Sequence, residues 1–402
     1  MNFVRASAVR PRFNARTRVR NQESAEPGRV AEIEVLRAVA IIMVLIEHIP
    51  FNLLFWSSWV TGLIFNSLGL WTGVDLFFAI SGFVIARSLL PRLENITDRT
   101  AFFRVAIAFW LRRAWRLLPS AWFWLTAPLV LCLVFNTSQS YGTLRDNYDM
   151  FVAGILNLAN FHEAIFFGKH GSGTAFVQWS LALEEQFYLL LPLAAFVFRR
   201  YLVVPLLLLF AFSFVSPDTP VFMMLRAGPV ALGVLLAIWS RHATYQDCAP
   251  AIFGRHRILR IAALCLGIVF ICSLASATLY IVPFYLGPIA ILCAALVWLA
   301  SYDRGYLWRP GASRRVMEII AARSYSLYLV HVPVYFGMHE MWFRLYGMAN
   351  PTRGQAVAYF IIAYTLVAGL AELNHRLLEA PLRERGKIIA ANFAARHAVA
   401  PS

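Results

Sequence analysis

Residues 32–50 read EIEVLRAVAIIMVLIEHIP. The run is apolar except for acids at its start, Arg37, and the Glu47–His48 pair at its end. As a helix it places Arg37 and His48, eleven residues apart, within about 20° of one face and roughly 16 Å apart along the axis. Glu47 then points about 100° away from His48, and Pro50 loosens the helix just beyond the histidine. Ionisable groups inside an apolar run are costly and face a cavity or a partner. This one helix therefore predicts neighbours with a polar interior.

The rest of the chain agrees. Of 402 residues, 60% are hydrophobic and 14% charged, and the mean hydropathy is +0.63. A soluble domain carries about 25% charged residues, and no single aqueous core hides this much apolar surface. The expected fold class is all-α, a polytopic transmembrane bundle in a lipid bilayer. Apolar stretches fall roughly at 33–55, 68–90, 117–135, 177–198, 201–216, 221–240, 258–277, 280–300, 325–345 and 355–378, about ten spans by length, with 201–216 the shortest.

The net charge of +15 does not indicate a nucleic-acid binder. All but Lys169 and Lys387 of the 36 basic residues are arginines, and they cluster between apolar runs, the pattern of loops retained in the cytosol. With the N-terminus inside, only Arg145, Lys169, Arg226, Arg344 and Arg353 fall outside, and both termini are expected to be cytosolic. The domain reading is a basic tail at 1–31, a membrane domain at 32–385 and a C-terminal tail at 386–402. The five cysteines show no metal-binding spacing, and no metal is expected.

Two connections are long. Residues 91–116 alternate arginines with Phe102, Phe103, Phe109 and Trp110, which predicts an amphipathic helix along the inner leaflet. Residues 136–176 form an outer loop ending near HGSGT (170–174), expected to cover the outer mouth of a cavity. Further spans carry polar stripes. Asp75, Ala79 and Gly82 share a face of the second span, where the acid needs an arginine or histidine partner. Ser180, Glu184 and Tyr188 share a face of the fourth. Ser324, Tyr328, His331 and Tyr335 line the ninth, and Glu372, His375 and Glu379 mark the tenth. Neutral imidazole is a natural general base near pH 7, which makes His48 the catalytic candidate. Glu47, Asp75 and Glu184 are each able to orient it, and the pattern leaves open which one does.

These motifs together resemble the acyltransferase-3 family of integral-membrane O-acyltransferases, over about Glu32 to Arg383. LRAVAIIMVLIEH is similar to the family's arginine-to-histidine helix, and GVDLFFAISGFVIARSL to its second-helix signature. Arg113 and Arg116, followed by Leu117, Leu118 and Pro119, resemble its cytosolic RxxR element. WSLALEEQFYLLLP, SYSLYLVHVPV and EAPLR follow in the expected order. The resemblance implies that His48 is the essential histidine with Arg37 its partner. It further implies that Arg113 and Arg116 face the acyl donor, and that Asp75 and Glu184 belong to the interior. The implied donor is an acyl-CoA, commonly acetyl-CoA. The implied acceptor is a hydroxyl of an exported or lipid-linked saccharide, and the implied location the bacterial inner membrane. Glu47 departs from the pattern, which often has an apolar or aromatic residue there. The hydrolase-like extracytoplasmic domain of some members is also not found in this sequence.

The expectation is therefore acyl transfer, with phosphates held by Arg113, Arg116 and Arg37 and with His48 acting as base or nucleophile. A proton-coupled secondary transporter or a lipid-linked glycan flippase is the rival class, since buried charges and midplane histidines serve transport as well. The lack of an internal repeat counts against it, as does the concentration of arginines beside one histidine-bearing helix.

Overall fold

A computed structural model describes residues 30–56, 62, 66–166, 173–215, 226–276, 278–279 and 281–396. Among these the fold is helical, without strands. Helix α1 (Ala31–Glu47) is buried on nearly every side, as expected of a helix that is apolar all round. It lies against α2 (Gly73–Leu93) and three later helices, α10 (Leu286–Ser301), α11 (Ala312–Ala322) and α12 (Ser324–Tyr346). Its N-terminus is anchored by Glu32. That carboxylate is fully buried and accepts the backbone N–H groups of Gly305, Tyr306, Leu307 and Trp308 at 2.7–3.2 Å. At the other end the helix stops at Glu47, and a wide π-helical turn, Ile49–Leu53, carries Pro50 past His48. Proline has no N–H to continue the α-helical ladder.

The closest helix contact joins α2 to α8 (Gly228–Trp239). A Cβ on Gly82 would lie 2.2 Å from the Val230 carbonyl oxygen, and one on Gly233 would lie 2.2 Å from that of Ala79. Small residues let backbones approach this closely, which accounts for the small-residue face that begins at Asp75.

Among the described residues, five helical segments are long and apolar enough to cross a membrane: Leu70–Leu93, Arg99–Val134, Gln178–Tyr201, Arg257–Leu274 and Arg353–Arg396. Three apolar helices are shorter: Val203–Phe214, Gly228–Trp239 and Leu286–Ser301. The chain is thus a multi-pass helical membrane protein, but the expected ten spans do not all appear as full-length apolar helices. The stretch at 201–216 shrinks to α7 (Val203–Ala211) and one 3-10 turn. The start of the stretch at 221–240 lies outside the described residues.

The expected amphipathic helix at 91–116 is not a separate element. A single helix, α3 (Arg99–Val134), absorbs it together with the following span. Asp98 caps its start by accepting the Ala101 N–H at 2.7 Å, and Pro119 and Pro128 are accommodated within it. Its 36 residues extend over about 54 Å, well beyond about 30 Å of hydrocarbon. The N-terminal half is covered by α14 (Ala380–Arg396), where Gly386 meets Trp115. The expected tail boundary at 385/386 therefore falls inside a helix. Residues 1–29 of the expected N-terminal tail lie outside the described residues.

The connection at 136–176 is largely helical, with α4 (Leu144–Ile155) and α5 (Ala159–Phe166) lying against α3 and α6 (Gln178–Phe198). Buried Glu340 of α12 ties its start down, accepting the backbone N–H groups of Thr137 and Ser138 at 2.8 Å each. Asn147 Oδ1 accepts from Thr174 N and Oγ1 at its end. His170 to Ser172 of the HGSGT motif lie outside the described residues.

The α2–α8 contact generates a stability prediction. Gly82→Ala and Gly233→Ala should each cost about 1–3 kcal/mol through overpacking. Gly369→Ala, in α13 (Arg353–Asn374) with open space around its Cβ position, should leave the melting temperature of the solubilised protein unchanged or slightly raised.

Candidate active site

Arg37 sits on the first turns of α1 and is held by Glu34 at 2.7 Å. It faces a cavity of about 110 Å³ that Arg113 and Arg116 of α3 also line. Arg113 lies over the rings of Phe109 and Tyr188, 5.6 and 5.3 Å from their centroids. The Arg116 Nε is buried with no hydrogen-bond partner among the described residues. Three arginines thus line one cavity, and planar forks of this kind match phosphate oxygens.

In the same cavity, Glu184 of α6 accepts hydrogen bonds from Ser81 and Tyr188. Its lining also includes Ser180 and Tyr328, whose hydroxyls meet at 2.6 Å while Tyr328 also donates to the Val177 carbonyl at 2.9 Å. Tyr328 is the neighbour of His331 on α12, ring centroids 5.7 Å apart. His331 in turn reaches His48, with Nε2 3.1 Å from His48 Nδ1. His331 is fully buried, while His48 is only partly covered and rests against Phe176. The two imidazoles therefore stand just beyond the tyrosine wall of the arginine-lined cavity.

The three candidate carboxylates have other attachments. Asp75 pairs with Arg226, the arginine partner its position demanded, through Nε to Oδ1 at 2.9 Å and a second bond from Nη2. Trp71 and Trp179 flank that guanidinium at 4.0 and 5.9 Å. Arg226, assigned by charge bias to the outer loops, is thus an interior residue. Glu184 is engaged by Ser81 and Tyr188, and Glu47 turns toward the backbone of Leu70 and Trp71. None of the three bonds the imidazole. His48 finds the Val44 carbonyl at 2.9 Å and His331 instead. Glu379, from the EAPLR motif, is likewise occupied, accepting from Ser326 at 2.8 Å and lying 3.0 Å from His375 Nδ1.

The acyltransferase domain family matches residues 30–372. The chain belongs to the acyltransferase-3 family. It is similar to the O-acetyltransferase OatA of Staphylococcus aureus (strain NCTC 8325 / PS 47), with 28% identity over 391 residues, 91% of this chain and 59% of the relative. It is also similar to the peptidoglycan O-acetyltransferase OatA of Listeria monocytogenes serovar 1/2a, with 27% identity over 386 residues, 89% of this chain and 56% of the relative. The chain spans somewhat more than half the length of these relatives. No solved structure matches it.

Within the family's matched region, the structure brings together Arg37, Arg113, Arg116 and Glu184 at one cavity, with His48 beyond its wall. Asp75 stands apart in its own ion pair. The sequence reading did not single out Arg226 or Ser81, and it placed His331 in a polar stripe without a role. A histidine on the same stripe as Tyr328 was the available signal; its pairing with His48 depends on how α12 crosses α1.

The Asp75–Arg226 pair is nearly buried, with side chains 1% and 10% exposed. Asp75→Ala, which strands the guanidinium, should cost about 3–5 kcal/mol, whereas Asp75→Leu combined with Arg226→Met should recover most of it. Thermal unfolding of the three proteins checks this, and a catalytic role for Asp75 would instead leave the double variant stable but inactive.

Proposed function

We propose that this chain is a membrane O-acyltransferase that moves an acyl group, acetyl in the first instance, from acyl-CoA to a hydroxyl of an exported or lipid-linked saccharide. The observation that carries this reading is the partly covered His48 standing beyond the wall of a cavity lined by Arg37, Arg113 and Arg116. Family membership supports the reaction type. Its similarity to the peptidoglycan O-acetyltransferase of Listeria monocytogenes supports a peptidoglycan-like glycan as acceptor.

In this reading the N-terminus and the arginine mouth face the cytosol of a bacterial inner membrane. The guanidinium groups hold the donor's phosphates, and the pantetheine arm carries the thioester inward past Glu184 and Tyr188. Opening the Ser180–Tyr328 contact gives the thioester access to the histidines. The saccharide enters from the opposite face. His48 removes the hydroxyl proton as the oxygen attacks the acyl carbon. The carbon–sulfur bond then breaks, and the thiolate leaves with the proton His48 held. Donor, acceptor, ester and thiol balance without a metal or an oxidant.

The test is thiol release from acetyl-CoA by purified protein supplied with saccharide acceptor, together with detection of the O-acetyl ester. A transporter gives neither. His48→Ala should lower turnover about 10²- to 10⁴-fold, as loss of a general base does, with acyl-CoA binding retained. Arg113→Ala and Arg116→Ala should raise the KM for acyl-CoA more than they lower kcat, because ground-state phosphate binding is lost. Wild-type rates in folded His48→Ala, or unchanged donor KM in both arginine variants, would contradict the assignment.

A further inference from the structure

We infer that His331 is a positioning residue that fixes the protons on His48, so that the reactive atom is His48 Nε2 and not Nδ1. The inference rests on the acyltransferase reading above and adds to it a residue and an atom.

The hydrogen-bond acceptors around the pair leave one arrangement of protons. His331 Nδ1 lies 2.7 Å from the Tyr328 carbonyl oxygen and 3.2 Å from that of Leu327. An unprotonated nitrogen there would set a lone pair against two oxygens, so Nδ1 carries the hydrogen and donates. A neutral imidazole has one N–H, which leaves His331 Nε2 as an acceptor. That acceptor faces His48 Nδ1 at 3.1 Å, and the Val44 carbonyl oxygen faces the same nitrogen at 2.9 Å. Two acceptors converge on His48 Nδ1, so it too carries its hydrogen. The lone pair of neutral His48 is therefore on Nε2, which has no hydrogen-bond partner among the described residues.

This arrangement has a consequence for the reaction. When His48 Nε2 takes the hydroxyl proton, the ring becomes an imidazolium whose Nδ1–H already points at a second imidazole nitrogen. A carbonyl oxygen can accept that hydrogen bond but cannot take the proton. His331 Nε2 can share it, and it returns when the leaving thiolate is protonated from His48 Nε2. The fully buried ring thus does for the partly covered one what a carboxylate does in a hydrolase triad, namely hold the tautomer and stabilise the charge that forms. It also explains why Asp75 and Glu184 can be committed elsewhere.

Two substitutions separate this role from plain packing. Gln at 331 extends an amide to about the reach of Nε2, toward His48. Asn extends one only to about the reach of Nδ1, toward the Tyr328 and Leu327 carbonyls. His331→Asn should lower kcat about 10²-fold, at the low end of general-base effects, with the KM for acyl-CoA unchanged. His331→Gln should recover much of that loss. If the ring only satisfies its own helix, the order reverses, with Asn active and Gln impaired, and the inference fails. A second readout needs no activity. In ¹⁵N-histidine-labelled wild-type protein at neutral pH, the His48 signals, identified by their loss in His48→Ala, should show a protonated Nδ1 and a bare Nε2. The opposite tautomer would overturn the assignment. If His48→Ala is inactive while both His331 variants keep wild-type kcat, the acyltransferase reading stands and this inference alone falls. If His48→Ala remains active, the underlying reading falls first.

Discussion

The architecture depends on housing one helix that is apolar around its girth and ionisable at both ends. Helix α1 lies at the centre of the bundle because lipid or water on any side would waste part of its surface. Central placement strips solvent from its polar groups, so other segments have to satisfy them. Four consecutive backbone N–H groups of the 305–308 segment close on Glu32 at one end. At the other end α12 brings His331 to His48. In the proposed reading the chemistry sits where α1 stops, at His48, beside the wide turn at Ile49–Leu53 that ends the regular helix.

Charged groups in the bundle divide by how well they are matched. Asp75 and Arg226 form a two-bonded pair walled by two indoles. Glu340 accepts two backbone amides, a serine hydroxyl and an arginine. Such groups are satisfied within the fold and hold segments in register. Arg113 and Arg116 are different. One guanidinium lies over two aromatic faces in the field of the Glu184 carboxylate, and the other has a buried nitrogen with no hydrogen-bond acceptor among the described residues. In the proposed reading these two, which line the cavity, are the groups a phosphorylated donor would complete.

Much of this was readable in the sequence, and what was not has a physical cause. The spacing of Arg37 and His48 on one face, the divergence of Glu47, and the demand of Asp75 for a basic partner all follow from helical periodicity. Periodicity describes one helix at a time. It could not say that Arg226, far along the chain, would meet Asp75, or that His331 rather than a carboxylate would meet His48, because those contacts depend on how helices cross. The amphipathic stretch at 91–116 misled for a related reason. Alternating arginine and aromatic residues suit a lipid surface and also suit a helix covered by α14, and only the packing of Gly386 on Trp115 distinguishes the two. The run at 201–216, the shortest of the expected spans, forms a short apolar helix, Val203–Ala211, followed by a 3-10 turn.

The central claim is that the arginine mouth and the imidazole pair form one route across the bundle, with donor and acceptor arriving from opposite faces. Transfer in sealed proteoliposomes of known orientation tests this most directly, with labelled acetyl-CoA confined to one compartment and a soluble saccharide acceptor to the other. The account predicts labelled ester on the saccharide only when acetyl-CoA is on the side bearing Arg113 and Arg116 and the acceptor is on the other. Ester formation only when both substrates share one compartment would contradict it.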